Sequence, residues 1–163
     1  MEDKPRPNPT FPNLSPGQIT LLRGTFLLVE RQSAIAALVF YRHLFNLDPS
    51  LQALFHTSIE LQGRKLMDAL EFTLATLDNP AELVPVLEAM GRRHVTYGTK
   101  DEHYSTMRQA MLLTLGETLG EDYTPEAEAA WAIALDFINQ AMIRGAGDVQ
   151  ELLRGGSVRN SGD

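Results

Sequence analysis

Histidine is the residue type in this chain best suited to bind a metal or to transfer protons, because the sequence has four histidines and no cysteine. Without cysteine there are no disulfides, thiolate metal sites or thiol nucleophiles. Helical spacing sets His94 apart, since positions 83, 87, 90 and 94 share one helix face and His94 continues an apolar stripe. A histidine in that setting is either a metal ligand or a hydrogen-bonded core residue. Its own neighbours favour the core residue.

The other three histidines are predicted to lie at the surface. His43 follows Tyr41 by two residues on one helix, about 200° around the axis, so it faces outward if Tyr41 faces inward. His56 lies in a loop. His103 lies in the first turn of a helix, after the charged residues Lys-Asp-Glu, and is expected to be exposed.

Other catalytic and metal-binding patterns are missing from the sequence. It has no Gly-x-Ser-x-Gly nucleophile elbow, no His-Glu-x-x-His pair, no phosphate-binding glycine loop and no EF-hand loop. A ferritin-like di-iron site needs Glu-x-x-His pairs, and Glu60 has no histidine three residues later. Hydrolytic and di-metal functions are therefore set aside.

Capping signals and helical periodicity predict an all-α fold of about seven helices. Ser15 and Pro16 begin the first helix, Pro49 begins a short one, and Pro85 and Gly98 are expected to bound the helix that contains His94. The remaining helices are predicted at about 32–46, 61–77, 101–119 and 124–144. Residues 1–13 form a proline-rich arm predicted to be disordered, 14–145 one domain, and 146–163 a flexible polar tail.

Composition and charge narrow the range of partners. The 163 residues are enough for one domain with a sizeable core. A formal charge of −7 argues against nucleic acid and against anionic membranes as partners. The acidic N-terminus is not a signal peptide, and the apolar run AIAALVFY is too short to span a bilayer. A soluble cytoplasmic protein is expected.

Distant residues change the interpretation of His94. Tyr41 interrupts an apolar stripe in the second helix, Phe55 follows the short helix, and Gln62 lies four residues before Leu66. A buried tyrosine needs a hydrogen-bond partner, and a glutamine can provide one. Together with a histidine after Gly-Arg-Arg, however, these residues resemble the globin family over 14–145, and especially bacterial single-domain globins similar to the haem domain of flavohaemoglobins. The resemblance implies a globin fold around one haem b, with a short CD region and no D helix.

The resemblance also implies roles for the residues that contact the haem. His94 corresponds to the axial ligand of the iron, and Phe55 to the phenylalanine that packs flat against the haem. Tyr41, Gln62 and Leu66 correspond to the lining of the opposite, distal pocket. Hydrogen bonds from Tyr41 and Gln62 to a bound ligand are each worth about 1.5–3 kcal/mol, which predicts slow release of O2.

Charged and polar residues around this site are assigned in the same way. Lys65 or Arg93 is expected to pair with a haem propionate, although Arg92 and Arg93 also suit the negative end of a helix dipole. Tyr104, ten residues after His94, matches the tyrosine of a network behind the axial histidine. The network is therefore only half supported, because its candidate carboxylate, Asp148, is shorter than the glutamate of the family and follows Gly-Ala-Gly.

The resemblance implies binding of O2, NO and CO, and the conversion of NO and O2 to nitrate. The chain lacks the flavin and nicotinamide domains of flavohaemoglobins, so turnover as a nitric oxide dioxygenase is expected to need an external reductase. An O2 store or gas sensor without catalysis is the alternative. A globin fold that binds no haem and serves as a structural module is the third possibility.

Overall fold

The computed structural model describes residues 12–157, which form an all-helical fold without β-strands. The six α-helices are α1 (Pro16–Glu30), α2 (Ser33–Leu47), α3 (Ile59–Ala75), α4 (Pro80–Thr96), α5 (Asp101–Leu119) and α6 (Pro125–Ser157). A first 3-10 helix covers Pro49–Leu54 and a second covers Gly120–Asp122. The predicted all-α class is confirmed. Within the described range, none of the helices has the length and apolar character needed to cross a membrane.

Side-chain caps begin the helices where the sequence predicts them. Ser15 Oγ accepts a hydrogen bond from the Gln18 N–H at 3.1 Å, and Gln18 Oε1 accepts one from the Ser15 N–H at 2.9 Å, which completes a capping box for α1. Asp48 accepts from the second residue of the first 3-10 helix at 3.1 Å. Thr124 accepts from the third residue of α6 at 3.2 Å. Each cap satisfies an N–H that the helix itself leaves unpaired.

The predicted start of the helix that contains His94 is wrong. Pro85 does not open α4, because the helix begins at Pro80 after Asn79 and encloses Pro85. A proline in the first turn loses no hydrogen bond, whereas one inside a helix removes a bond to the residue four positions earlier. Pro80 takes the favourable position, and α4 tolerates the second proline one turn later.

The predicted end of the last helix near residue 144 is also wrong, because α6 continues past Gly145 to Ser157. The glycines lie at a helix crossing rather than at a helix end. A Cβ on Gly145 would lie 1.9 Å from the Glu88 carbonyl oxygen, and a Cβ on Gly91 would lie 1.9 Å from the Met142 carbonyl oxygen. The backbones of α4 and α6 therefore touch.

The predicted division into arm, domain and tail stays a prediction. Residues 146–157, at the start of the predicted tail, are helical. Residues 1–11 and 158–163 lie outside the described range.

Two further contacts hold the helices around the core. A Cβ on Gly63 would lie 2.6 Å from the Ala37 Cβ, so α2 and α3 also cross closely. The indole N–H of Trp131 donates to Thr25 Oγ1 at 2.9 Å, which satisfies a fully buried donor and ties α6 to α1. The core between these contacts is apolar and includes Leu22, Phe26, Leu44, Leu77, Leu83, Leu87 and Leu115.

Candidate functional site

His94 lies in the last turn of α4 with one ring nitrogen already bonded. Its Nδ1 is 2.6 Å from the backbone carbonyl oxygen of Met90, and the side chain is half-buried. Because a carbonyl oxygen only accepts hydrogen bonds, Nδ1 must be the protonated nitrogen. The neutral ring therefore keeps its lone pair on Nε2. This is the tautomer that a metal ligand needs, with its other nitrogen oriented by a backbone acceptor.

The surroundings of His94 favour its neutral form. Burial lowers the pKa of the ring below its usual value, and the positive charge of Arg93 acts in the same direction. The hydrogen bond to the Met90 carbonyl opposes this shift without cancelling it. A neutral imidazole is the form that binds metals, so protons compete weakly for this nitrogen near neutral pH.

The backbone fixes His94 on both sides. Gly98 follows the helix with φ +91°, a left-handed conformation that glycine adopts without strain, so the predicted helix end at this glycine is confirmed. The Thr99 N–H donates to the His94 carbonyl and the Gly98 N–H to the Val95 carbonyl, both at 3.1 Å, which forms a Schellman motif. Gly91, one turn earlier, lies against α6. The histidine is therefore held between a helix crossing and a helix cap.

An aromatic cluster surrounds Tyr41, which is only 5% exposed on α2. Its ring packs edge-on against Phe55 with centroids 5.4 Å apart, and Phe45 lies 5.9 Å from Tyr41 and 5.5 Å from Phe55. Burial raises the pKa of Tyr41 to about 12, so the hydroxyl stays protonated. That hydroxyl makes no hydrogen bond to any residue in the range 12–157. It is a protonated donor that no described residue uses.

Gln62 does not pair with Tyr41 in this structure. Its side-chain amide donates to Thr57 Oγ1 instead, just before the first turn of α3. Gly63, the next residue, lies at the crossing of α2 and α3, which holds the backbone at this point. Leu66, one turn further, is half-buried against the core.

The turn after His94 contacts the segment that leads into the aromatic cluster. A Cβ on Gly98 would lie 3.2 Å from Leu54 Cδ2, so the turn after His94 packs against the residue before Phe55. Lys65 and Arg93, the two predicted propionate partners, are both exposed. Neither forms an ion pair with a carboxylate of the described residues.

The network predicted behind His94 is not formed between protein side chains. Tyr104 is 2% exposed, and its hydroxyl is buried without a hydrogen-bond partner among residues 12–157. It is therefore not bonded to Asp148, although α6 does extend far enough to include that residue. Burial, with a smaller contribution from the negative charge of Asp101, raises the pKa of Tyr104 to about 12. The Tyr104 hydroxyl therefore stays protonated.

The remaining histidines differ in part from expectation. His103 is 9% exposed rather than at the surface, and its Nδ1 accepts a hydrogen bond from the Lys100 N–H at 3.0 Å, which caps α5. Glutamine and glutamate are the residues that usually indicate such a cap, so a histidine at this position does not predict one. His43 lies 2.7 Å from the Glu117 carboxylate near the surface, and His56 is exposed.

Comparison with known proteins identifies relatives over most of the chain. The family model described as Globin matches residues 38–142. A flavohemoprotein of Rhodopirellula baltica is 28% identical over 141 residues, which cover 85% of this chain and 35% of that protein. A flavohemoprotein of Xylella fastidiosa is 31% identical over 129 residues, or 77% of this chain and 32% of that protein. The chain spans about a third of the length of the curated relatives it matches.

Solved structures agree with the helical architecture. An engineered carbene transferase, derived from a candidate nitric oxide dioxygenase of Rhodothermus marinus, superposes with a TM-score of 0.77 at 27% identity. The superposition covers 87% of this chain and 99% of that one. A hexacoordinated heme protein from an anhydrobiotic tardigrade also reaches a TM-score of 0.77, at 22% identity, and covers 85% of this chain and 97% of that one. At that identity the second similarity concerns the fold alone.

Proposed function

This chain belongs to the globin family, and from that premise we propose that it is a haem b protein that binds O2 and NO next to His94. The observation behind the proposal is the orientation of that ring, with Nδ1 bonded to the Met90 carbonyl and Nε2 free. Haem iron needs one basic axial nitrogen from the protein and keeps its other face open. His94 supplies one such nitrogen from a fixed position.

The residues present fit a haem in two other respects. Among residues 12–157 no group of three or more histidine, aspartate or glutamate side chains could hold a metal ion by itself. A single histidine is compatible with a haem, because a porphyrin supplies its own ligands to the iron. In the aromatic cluster, Phe55 offers an aromatic surface and Tyr41 offers a protonated hydroxyl that makes no hydrogen bond to a described residue. Bound haem would supply an iron that takes up O2, NO and CO and shifts negative charge onto O2.

Tyr41 is the residue proposed to hold O2 in place. Its pKa of about 12 keeps the hydroxyl protonated, so it donates a hydrogen bond at any physiological pH. A hydrogen bond to a charged acceptor is worth about 1.5–3 kcal/mol, or roughly a tenfold to hundredfold slower release of O2. Gln62 adds a second donor only if its amide leaves Thr57.

Slow release suits a reaction in which bound O2 waits for NO. We propose nitric oxide dioxygenation on this basis, supported by similarity to flavohemoproteins. Because the chain matches only about a third of those relatives, the proposal assigns the supply of electrons to an external reductase. Mixing the O2-loaded protein with NO in a stopped-flow instrument should give nitrate and ferric protein within milliseconds. Conversion no faster than spontaneous loss of O2 would reject the dioxygenase.

One observation favours an O2 store or sensor as the second candidate. The Tyr104 hydroxyl lacks the carboxylate partner that would complete the network behind His94. A less basic axial histidine pushes less electron density toward the iron and favours simple ligand binding. Repeated turnover with a reductase separates the two functions, since a store would react with NO once and stop.

We also propose a bacterial cytoplasmic location, which subcellular fractionation of the source organism would test.

A further inference from the structure

The hydrogen bond to the Met90 carbonyl fixes the plane of the His94 ring only in part. It holds one atom of the ring, Nδ1, at 2.6 Å from the carbonyl oxygen. The torsion that turns a histidine ring about its Cβ–Cγ bond is broad, and a hydrogen bond keeps much of its strength until its angle falls toward about 120°. A second contact is therefore needed to keep Nε2 pointing in one direction.

Tyr97, three residues after His94, provides a second contact. Its ring meets the imidazole at an interplanar angle of 63°, with the two centroids 5.5 Å apart. This is the edge-to-face arrangement, which favours one relative orientation of two rings over others. Among the described residues, the Tyr97 ring pairs with no aromatic ring other than that of His94.

The geometry of the helix explains why residue 97 reaches the His94 ring. Tyr97 directly follows α4 and keeps nearly helical backbone angles, with φ −84° and ψ −6°. Side chains on a helix lean toward its N-terminus, so a side chain three positions after His94 covers the turn that contains it. Gly98 then turns the chain with φ +91° and has no side chain. Tyr97 is therefore the last residue of this helical segment that can cover the imidazole.

Burial of Tyr97 itself does not account for its position. The side chain is 55% exposed, whereas His94 is half-buried. Its hydroxyl makes no hydrogen bond to a described residue. An aromatic ring left this exposed gains little from the hydrophobic effect. The contact with the imidazole is therefore the specific interaction that the Tyr97 ring makes.

We propose that Tyr97 is a positioning residue for His94, and that its ring keeps Nε2 directed along one line. The inference rests on the proposed function, since the direction of Nε2 matters only if that atom binds the iron. The Met90 carbonyl determines which ring nitrogen carries the proton, and Tyr97 limits how far the ring plane swings. Groups that orient a metal-binding histidine in this way also tune the metal.

Resonance Raman spectroscopy of the ferrous, ligand-free haem protein tests the proposal through the iron–histidine stretching band. Tyr97→Leu removes the ring and should broaden or split this band. It should also release haem about twofold to tenfold faster, the range expected for the loss of one edge-to-face pair. Tyr97→Phe keeps the ring and should match the unmodified protein. Leu38→Ala, at a site 61% exposed on α2, is a control of similar exposure and should change neither result.

Nuclear magnetic relaxation of the His94 ring provides a measurement that needs no haem. In the haem-free full chain, the order parameter of the ring C–H bond reports how far the ring swings. Tyr97→Leu should lower it below about 0.6, the range of flexible groups, whereas Tyr97→Phe should leave it unchanged.

Three results would overturn the proposal: a band of normal width in Tyr97→Leu, equal changes in Tyr97→Leu and Tyr97→Phe, or an unchanged order parameter in Tyr97→Leu. A normal band that no variant alters would reject the role of Tyr97 and leave the proposed function standing. The absence of an iron–histidine band from the unmodified protein would reject the proposed function instead. The order parameters of the haem-free variants would then still decide whether Tyr97 orients the ring.

Discussion

The two sides of the candidate site are held in different ways. On the histidine side, the position of His94 follows from backbone contacts: the Met90 carbonyl, the Schellman cap at Gly98, and the crossing of Gly91 with α6. On the proposed distal side, Tyr41 and Gln62 are positioned by side-chain packing and by a side-chain hydrogen bond to Thr57.

The difference separates what is fixed by folding from what remains adjustable. Backbone contacts change only when helices move, whereas a side-chain amide can exchange partners by a change of rotamer. The structure therefore combines a proposed axial ligand held by the backbone with proposed distal residues whose hydrogen bonds can be altered one at a time. Substitutions on the two sides should have effects of different kinds and sizes.

The largest expected effect is the loss of the axial ligand in His94→Ala. No other described residue is placed to replace a nitrogen held by the Met90 carbonyl, so stable haem ligation should be abolished. The absorption spectrum of the protein after reconstitution with haem measures this directly. The exposed His56 provides the control, and His56→Ala should keep the normal spectrum. An unchanged spectrum in His94→Ala would remove the basis of the proposed function.

Glycine-to-alanine substitutions at the helix crossings beside His94 and beside Gln62 should lower the free energy of unfolding by different amounts. Gly91→Ala places a Cβ 1.9 Å from a backbone carbonyl of α6 and should cost about 3 kcal/mol or more, because two helices must separate. Gly63→Ala meets the Ala37 Cβ at 2.6 Å and should cost about 1–2 kcal/mol. Gly24 has no atom within 4 Å of such a Cβ, so Gly24→Ala should stabilise α1 by about 0.5–1 kcal/mol. Urea unfolding gives all three values, and equal costs at Gly91 and Gly63 would contradict the comparison.

The same contrast explains how much could be predicted from the sequence. Capping residues such as Ser15 and Thr124 act locally, so the helix starts predicted at Pro16 and near residue 124 are correct. The predicted helix end near residue 144 is wrong because a glycine that ends a helix and a glycine at a crossing, such as Gly145, differ only in the presence of a second helix. The prediction at Pro85 is wrong for a related reason, since Pro80 suits a first turn equally well and the sequence does not show which proline packing selects.

Side-chain partners at the site were harder to predict than its residues. The importance of His94 and Tyr41 came from a resemblance spread over many positions. The hydrogen bond between Gln62 and Thr57, and the burial of His103, depend on rotamers and on the turn before each helix. Residue spacing contains no information about either.

Removal of the Tyr41 hydroxyl should have the next largest effect on ligand binding. Tyr41→Phe keeps the ring packed against Phe55 and removes only the donor, so O2 should dissociate about tenfold to a hundredfold faster. Stopped-flow displacement of O2 by CO measures the rate. Phe45→Leu, which alters the same cluster without removing a polar group, is the matched control and should change the rate much less. Equal acceleration in the two variants would show that packing rather than hydrogen bonding holds O2.

The smallest effects are expected at Gln62, and they test whether the distal side is adjustable. Because the amide is bonded to Thr57, Gln62→Leu alone should accelerate O2 release by less than about threefold. Thr57→Val removes the competing acceptor and should slow release by about threefold to tenfold, as the amide becomes free to reach the ligand. The double variant should return close to the rate of Gln62→Leu, since the slowing depends on the amide. Acceleration of O2 release by Gln62→Leu as strong as that by Tyr41→Phe would contradict this expectation. It would mean that the Gln62 amide leaves Thr57 whenever O2 binds. The hydrogen bond to Thr57 would then describe only the ligand-free state.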